Sequence, residues 1–89
     1  MEFNKSENKI WYEKDGKILA EVTFPAVEAN TVDINHTFVD DSLRGQGVAG
    51  ALLQAVVQEL EHTHRKAVCS CSYAKNWFDK HPEKSELLV

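Results

Sequence analysis

Three glycines and an arginine fall within seven residues in Arg44-Gly45-Gln46-Gly47-Val48-Ala49-Gly50. Glycine lets a backbone approach a ligand closely. A helix beginning here would offer unpaired N–H groups and the positive end of its macrodipole. Together these suit a phosphate or diphosphate, with Arg44 adding charge at the rim. The spacing also satisfies Gly-x-Gly-x-x-Gly. A dinucleotide-binding unit wants an acidic residue about 20 positions further on, and the chain has Arg65-Lys66-Ala67 there. No Gly-Lys-Ser/Thr follows, so a P-loop is excluded. The plain alternative is a tight turn whose glycines serve packing alone.

Cys71 is the second chemical candidate. It closes an apolar run and directly precedes a helical pattern, where the dipole favours a thiolate. Three roles stand open: a nucleophile that accepts an acyl group, a residue lining a thioester pocket, or a small buried hydrophobe. Cys69 sits on the same strand face and reads as core. Strand neighbours two apart make a poor disulfide. His36 falls on the expected apolar face of a strand. It is either a satisfied core histidine or a general base. His62, His64, Cys69 and Cys71 fit no zinc spacing, and no metal is expected. His81 follows a helix end, where positive charge suits the dipole.

The elements must bring these groups together. Ile10 to Lys14 and Lys17 to Phe24 read as strands joined by Asp15-Gly16, a hairpin signal. Residues 1–8 are polar and expected to be loosely held. Thr31 to Val39 alternates as one strand, with Val32, Ile34, His36 and Phe38 on one face and Asp33, Asn35, Thr37 and Val39 on the other. Val48, Leu52, Leu53, Val56, Val57 and Leu60 form an apolar helical stripe ending near His64. Ala67 to Cys71 reads as a short buried strand. Ser72 to Lys80 reads as a second helix, with Tyr73, Ala74, Trp77 and Phe78 on one side and Pro82 as its stop. The order β-β-β-α-β-α, with a strand–helix–strand unit over 31–71, predicts an α/β mixed sheet. Its antiparallel beginning is followed by a parallel crossover. Ligands in such sheets bind beyond the carboxyl ends of the strands, where both the glycine turn and Cys71 fall.

At 89 residues the chain is expected to be one domain, 1–89. The net charge of −4 and the lack of a basic stripe argue against a duplex nucleic-acid partner. No apolar run has the length of a membrane span. Two cysteines are too few for a disulfide scaffold, which fits a reducing cytoplasm.

Arg44-Gly45-Gln46-Gly47-Val48-Ala49 also matches Arg/Gln-x-x-Gly-x-Gly/Ala, and so resembles the acetyl-CoA signature of the GNAT N-acetyltransferase superfamily. Cys71-Ser72-Tyr73-Ala74-x-x-Trp77-Phe78-x-x-His81-Pro82-Glu83 is similar to the second half of its small single-domain GNAT-like members. The resemblance covers roughly residues 9–88. It implies acetyl-CoA as cosubstrate, with the main chain of Gly45, Gln46, Gly47, Val48 and Ala49 and the side chain of Arg44 holding the diphosphate. It implies main-chain bonds from Phe38 and Val39 to the pantetheine, and Asn76 facing the pantetheine. Cys71 stands at the cysteine position of the small family, and His36-Thr37 belongs to its pattern. Two departures stand out. Phe78 occupies the place of the tyrosine general acid of larger members. The helices that shape their acceptor site are replaced by a hairpin and loop, which implies a shallow, open groove.

The expected activity is transfer of an acetyl group from acetyl-CoA to an amine, directly or through Cys71, with His36 as a base. The acceptor is an unknown amine, and the open groove has room for a polypeptide. The alternative is a CoA-binding or protein-interaction module without useful turnover. The apolar tail Leu87-Leu88-Val89 permits a monomer or a weak homodimer.

Overall fold

In the computed structural model, which describes residues 1–89, the chain opens with a two-residue strand, β1 (Asn4–Lys5). It pairs antiparallel with β2 (Lys9–Lys14), so the start of the chain is tied down where looseness was expected. β2 turns into β3 (Lys17–Thr23) through Asp15 and Gly16, with φ of 53° and 79°. Both lie in the left-handed region that this two-residue turn requires. After Pro25 comes β4 (Ala26–Glu28), a short strand the sequence pattern had not announced.

The expected single strand over 31–39 is two. β5 (Thr31–Ile34) and β6 (His36–Val39) are separated at Asn35. β6 pairs antiparallel with β3 and completes a sheet of order β1-β2-β3-β6. β5 lies between β4 and β7 (Lys66–Cys69) in a second sheet of order β4-β5-β7, and its pairing with β7 is parallel. The crossover expected over 31–71 is therefore present, and the fold is the mixed α/β arrangement anticipated.

The break at Asn35 changes which side chains face inward, because a one-residue slip in a strand swaps its faces. Val32 and Ile34 are fully buried. Beyond the break, Thr37 and Val39 turn inward and are half-buried, while His36 and Phe38 point outward. His36 and Phe38 thus do not share the apolar face of Val32 and Ile34, which corrects the expected alternation.

Helix α1 (Val48–Thr63) buries the predicted stripe of Val48, Leu52, Leu53, Val56, Val57 and Leu60, and no other residue of the helix is buried. Each such aliphatic side chain contributes about 1.5–3 kcal/mol on burial. His64 ends α1 in the left-handed conformation, its N–H bonding the Leu60 carbonyl. Helix α2 (Ser72–Asp79) buries Ala74, Trp77 and Phe78. Tyr73, expected on that face, is 39% exposed instead. His81 stacks on Trp77 at 3.8 Å and its Nδ1 lies 2.7 Å from the Trp77 carbonyl, so it closes the helix as expected. The C-terminal residues form a 3-10 turn (Pro82–Leu87) that buries Leu87. Leu88 then bridges to Ala67 of β7, so Leu87 and Leu88 of the apolar tail pack on their own chain while Val89 stays exposed. Both helices feed one core. The other face of the sheets is left uncovered, with Glu21, His36, Phe38 and Val68 on it.

Candidate active site

The site forms where the two sheets part. β5 and β7 run side by side as far as Ile34 and Cys69. Beyond that point β6 turns to β3, while the segment after β7 enters α2. The Cys71 N–H still reaches back to the Ile34 carbonyl at 3.1 Å. Across the same gap the Ser70 N–H donates to Asp33 Oδ1 at 2.9 Å, and the Ser70 hydroxyl donates to Asp33 Oδ2 at 2.7 Å. These bonds pin the base of the V.

Cys71 sits in the fork. It lies past the end of β7, as the extended N-cap residue of α2 with φ −77° and ψ 124°. Its sulfur is 3.6 Å from Thr37 Oγ1. Burial pushes the Cys71 thiol up, but hydrogen bonds outweigh it. They come from the Ala74 N–H, the Thr37 hydroxyl, the Tyr73 N–H and the Thr37 N–H, and they leave the thiol below its ordinary value. Two of these donors belong to the first turn of α2, where the helix dipole also favours a thiolate. Cys69 shows the opposite. Burial, then the charges of Asp33 and Cys71, push its thiol up to about 11. Two cysteines on one segment thus shift in opposite directions, Cys71 toward the thiolate and Cys69 away from it.

The glycine turn lies beside the fork. A 3-10 turn (Asp41–Leu43) is capped by the Asp40 carboxylate, which accepts from the Ser42 N–H at 3.0 Å. Gly47 then opens α1 in the left-handed conformation, φ 70°, with no side chain capping the helix and no acidic residue in the first turn. A Cβ on Gly47 would meet nothing within 4 Å, so the glycine serves backbone conformation and an open approach, not close packing. The N–H groups of Gly45, Gly47, Val48 and Ala49 have no acceptor within the chain. Gln46 differs from expectation: its N–H already donates to the Leu43 carbonyl at 3.3 Å. Of the five donors anticipated four are therefore free, and the Gly50 N–H is free as well, in the place and polarity an anion needs. Arg44 is exposed and pairs with Asp41 at 2.7 Å, three residues back.

β6 offers its open edge to the gap. The Asp40 N–H bonds the Leu19 carbonyl of β3 at 2.7 Å. Antiparallel bonds alternate, so the main-chain groups of Phe38 also face β3, in register with Glu21. Those of Thr37 and Val39 face the gap. Val39 is thus placed to bond an extended ligand through its main chain. Phe38 is not, which corrects the expectation for that residue. Asn76 lies exposed one turn beyond Tyr73 on α2.

His36 lies at the same fork on the uncovered face. Its Nε2 is 3.2 Å from Glu21 Oε2, and Glu21 Oε1 is 3.1 Å from Lys9 Nζ. The imidazole is half exposed and oriented by a carboxylate. Phe78, in contrast, is 3% exposed and packs edge-to-face on Trp77, so nothing at that position reaches the gap. His62, His64, Cys69 and Cys71 are not gathered into a ligand set. A cleft beside β7, lined by Cys69, Lys75, Phe78 and Leu88 among others, includes neither Cys71 nor the glycine turn. Sequence reasoning missed Thr37, Tyr73 and Glu21. Asn35, a poor strand former, was the one local signal for the break that brings Thr37 inward.

Comparison with known proteins agrees with this fold. Residues 8–87 match the family model described as GCN5-related N-acetyl-transferase. A GCN5-like protein from Staphylococcus aureus, solved by NMR, superposes with a TM-score of 0.81 at 36% identity, covering 99% of this chain and 87% of that one. Protein NATD1 of Xenopus tropicalis is 32% identical over 63 residues, 71% of this chain. The chain spans 58% of the length of that relative. A Mycobacterium tuberculosis protein crystallised with CoA shares the fold at 15% identity and a TM-score of 0.66, covering 85% of this chain and 48% of that one.

Fold and family model together define an α/β acyltransferase scaffold: an antiparallel sheet and a mixed sheet that part beside the first turn of a crossover helix. More narrowly, the chain belongs to the GCN5-related N-acetyltransferase family, which uses acetyl-CoA as cosubstrate. No helix is long and apolar enough to cross a membrane.

Proposed function

We propose that this protein transfers an acetyl group from acetyl-CoA to an amine by way of Cys71. The observation that carries the reading is the juxtaposition of free α1 amides with a thiol held below its ordinary value at the mouth of the fork. The diphosphate sits on the N–H groups of Gly45, Gly47, Val48 and Ala49, with Arg44 at the rim. The pantetheine runs along the open edge of β6 at Val39, past Asn76, and delivers its thioester to Cys71. Holding both reactants in one geometry supplies the largest part of the rate.

In the first step the Cys71 thiolate attacks the acetyl carbonyl. The bond from the carbonyl to the CoA sulfur breaks, and CoA leaves as a thiolate that takes a proton. In the second step a neutral amine attacks acetyl-Cys71. The amide forms, the Cys71 thiolate is released, and the surplus ammonium proton passes to His36. The cofactor occupies the helix side of the fork, so the acceptor arrives from the uncovered face, where His36 stands oriented by Glu21. That face is open, which favours an amine on a polypeptide. The free thiols of Cys69 and Cys71 fit a reducing cytoplasm.

Mass spectrometry after incubation with acetyl-CoA tests this. The intact protein gains about 42 Da, one acetyl for one hydrogen, and Cys71→Ala does not. Acetylation of an acceptor by Cys71→Ala at the wild-type rate would overturn the covalent route. The burial of Phe78 favours a second reading, a CoA-binding module without useful turnover, because that position supplies no acid for the leaving thiolate. Micromolar CoA binding with no adduct and no product would select it.

A further inference from the structure

The Tyr73 side chain spans the space between the two halves of the site. Its main-chain N–H is among the donors to the Cys71 sulfur. Its hydroxyl lies 3.8 Å from where a Cβ on Gly50 would be, in the first turn of α1. Gly50 is the third residue of α1 and so belongs to the same first turn as the free amides of Val48 and Ala49. Gly50 is helical and has no left-handed φ. Its missing side chain leaves room for the phenol and is not needed for the turn. The residue is 39% exposed although its ring is large and apolar, and its hydroxyl takes part in no side-chain hydrogen bond of the chain, unlike the neighbouring Cys71 and His81.

We infer that Tyr73 is a cofactor-binding residue whose hydroxyl donates to the diphosphate oxygens beside the α1 amides, while its ring walls the channel to Cys71. This rests on the acetyl-CoA reading above and adds a donor that the glycine signature does not contain. A neutral hydroxyl bonding a charged oxygen makes one of the stronger hydrogen bonds. Removing it costs about tenfold or more in affinity.

The test is calorimetric titration of wild type and Tyr73→Phe with CoA, together with steady-state kinetics at saturating acetyl-CoA. Tyr73→Phe keeps the ring and hence the fold. The expected result is a CoA dissociation constant raised about tenfold, with kcat within twofold of wild type. An unchanged dissociation constant would overturn the inference. So would a kcat loss at unchanged affinity, which would make the phenol a proton donor to the leaving thiolate. Wild type that fails to bind CoA overturns the acetyl-CoA reading itself and is thereby distinguished from failure at Tyr73 alone.

Discussion

The Thr37 hydroxyl stands 3.6 Å from the Cys71 sulfur, across the gap where β6 leaves the neighbouring sheet. The contact exists only because the strand breaks at Asn35 and turns Thr37 inward. The same break sends His36 to the outer face. One irregular residue therefore places a thiolate donor on one side of the fork and an imidazole on the other.

Thr37→Val removes one of the hydrogen bonds that hold the Cys71 thiol down, leaving burial less opposed. The thiol moves up toward its ordinary value, so less thiolate is present at neutral pH. The pH profile of iodoacetamide labelling reports this. In wild type, Cys71 labels at neutral pH while Cys69, pushed up to about 11, stays unreactive. In Thr37→Val the Cys71 profile shifts to higher pH. A profile that stays in place would show that the main-chain amides of Thr37, Tyr73 and Ala74 set the thiol without the hydroxyl.

His36→Gln removes the proposed proton acceptor without disturbing a buried group. The expected loss in acceptor turnover is about 10²–10⁴-fold, the usual range for a general base. Formation of acetyl-Cys71 is unaffected, because that step needs no amine. Glu21→Gln loses less, since the carboxylate only orients the ring. Quenched-flow separation of the two steps checks this, and a slowed first step would place His36 elsewhere in the mechanism.

Much of this architecture was legible in the chain. The α1 stripe is six apolar residues at helical spacing, and packing leaves them no other face. Asp15-Gly16 meets a steric demand that few other pairs satisfy. The glycine turn was visible as chemistry because helix N-termini always leave donors over. The break at Asn35 was not legible. Alternation continues through it on paper, and only pairing with two different sheets reveals the slip. Tyr73 was hidden by a similar limit. Its helical position fits the buried side of α2, and only the space above Gly50 shows why it stays out.

Gly47→Ala separates fold from function at the cradle. The position has φ 70° and open space around a Cβ, so the penalty is conformational, about 1–2 kcal/mol. For a domain this small, Tm falls by roughly 4–8 °C per kcal/mol. CoA affinity falls as well, because a methyl at Gly47 obstructs a diphosphate that approaches the turn through the open space there. Thermal melts with and without CoA separate the two effects. Equal shifts in both melts would mean that the diphosphate does not approach Gly47.

Arg44 and Asp41 form an exposed pair that contributes little to stability. Their value lies in what the guanidinium does when an anion arrives. Arg44→Ala leaves Tm nearly unchanged and weakens CoA binding. Screening shortens the reach of an exposed charge, from about 30 Å at 0.01 M salt to about 8 Å at 0.15 M. The loss is therefore larger at low salt. Asp41→Asn acts in the opposite sense: it frees the guanidinium and removes a negative charge from the cradle, so CoA binds more tightly, again most at low salt. Titrations of both variants at two ionic strengths read the signs directly. An Arg44→Ala effect independent of salt would mean that the side chain packs against the ligand and does not act through charge.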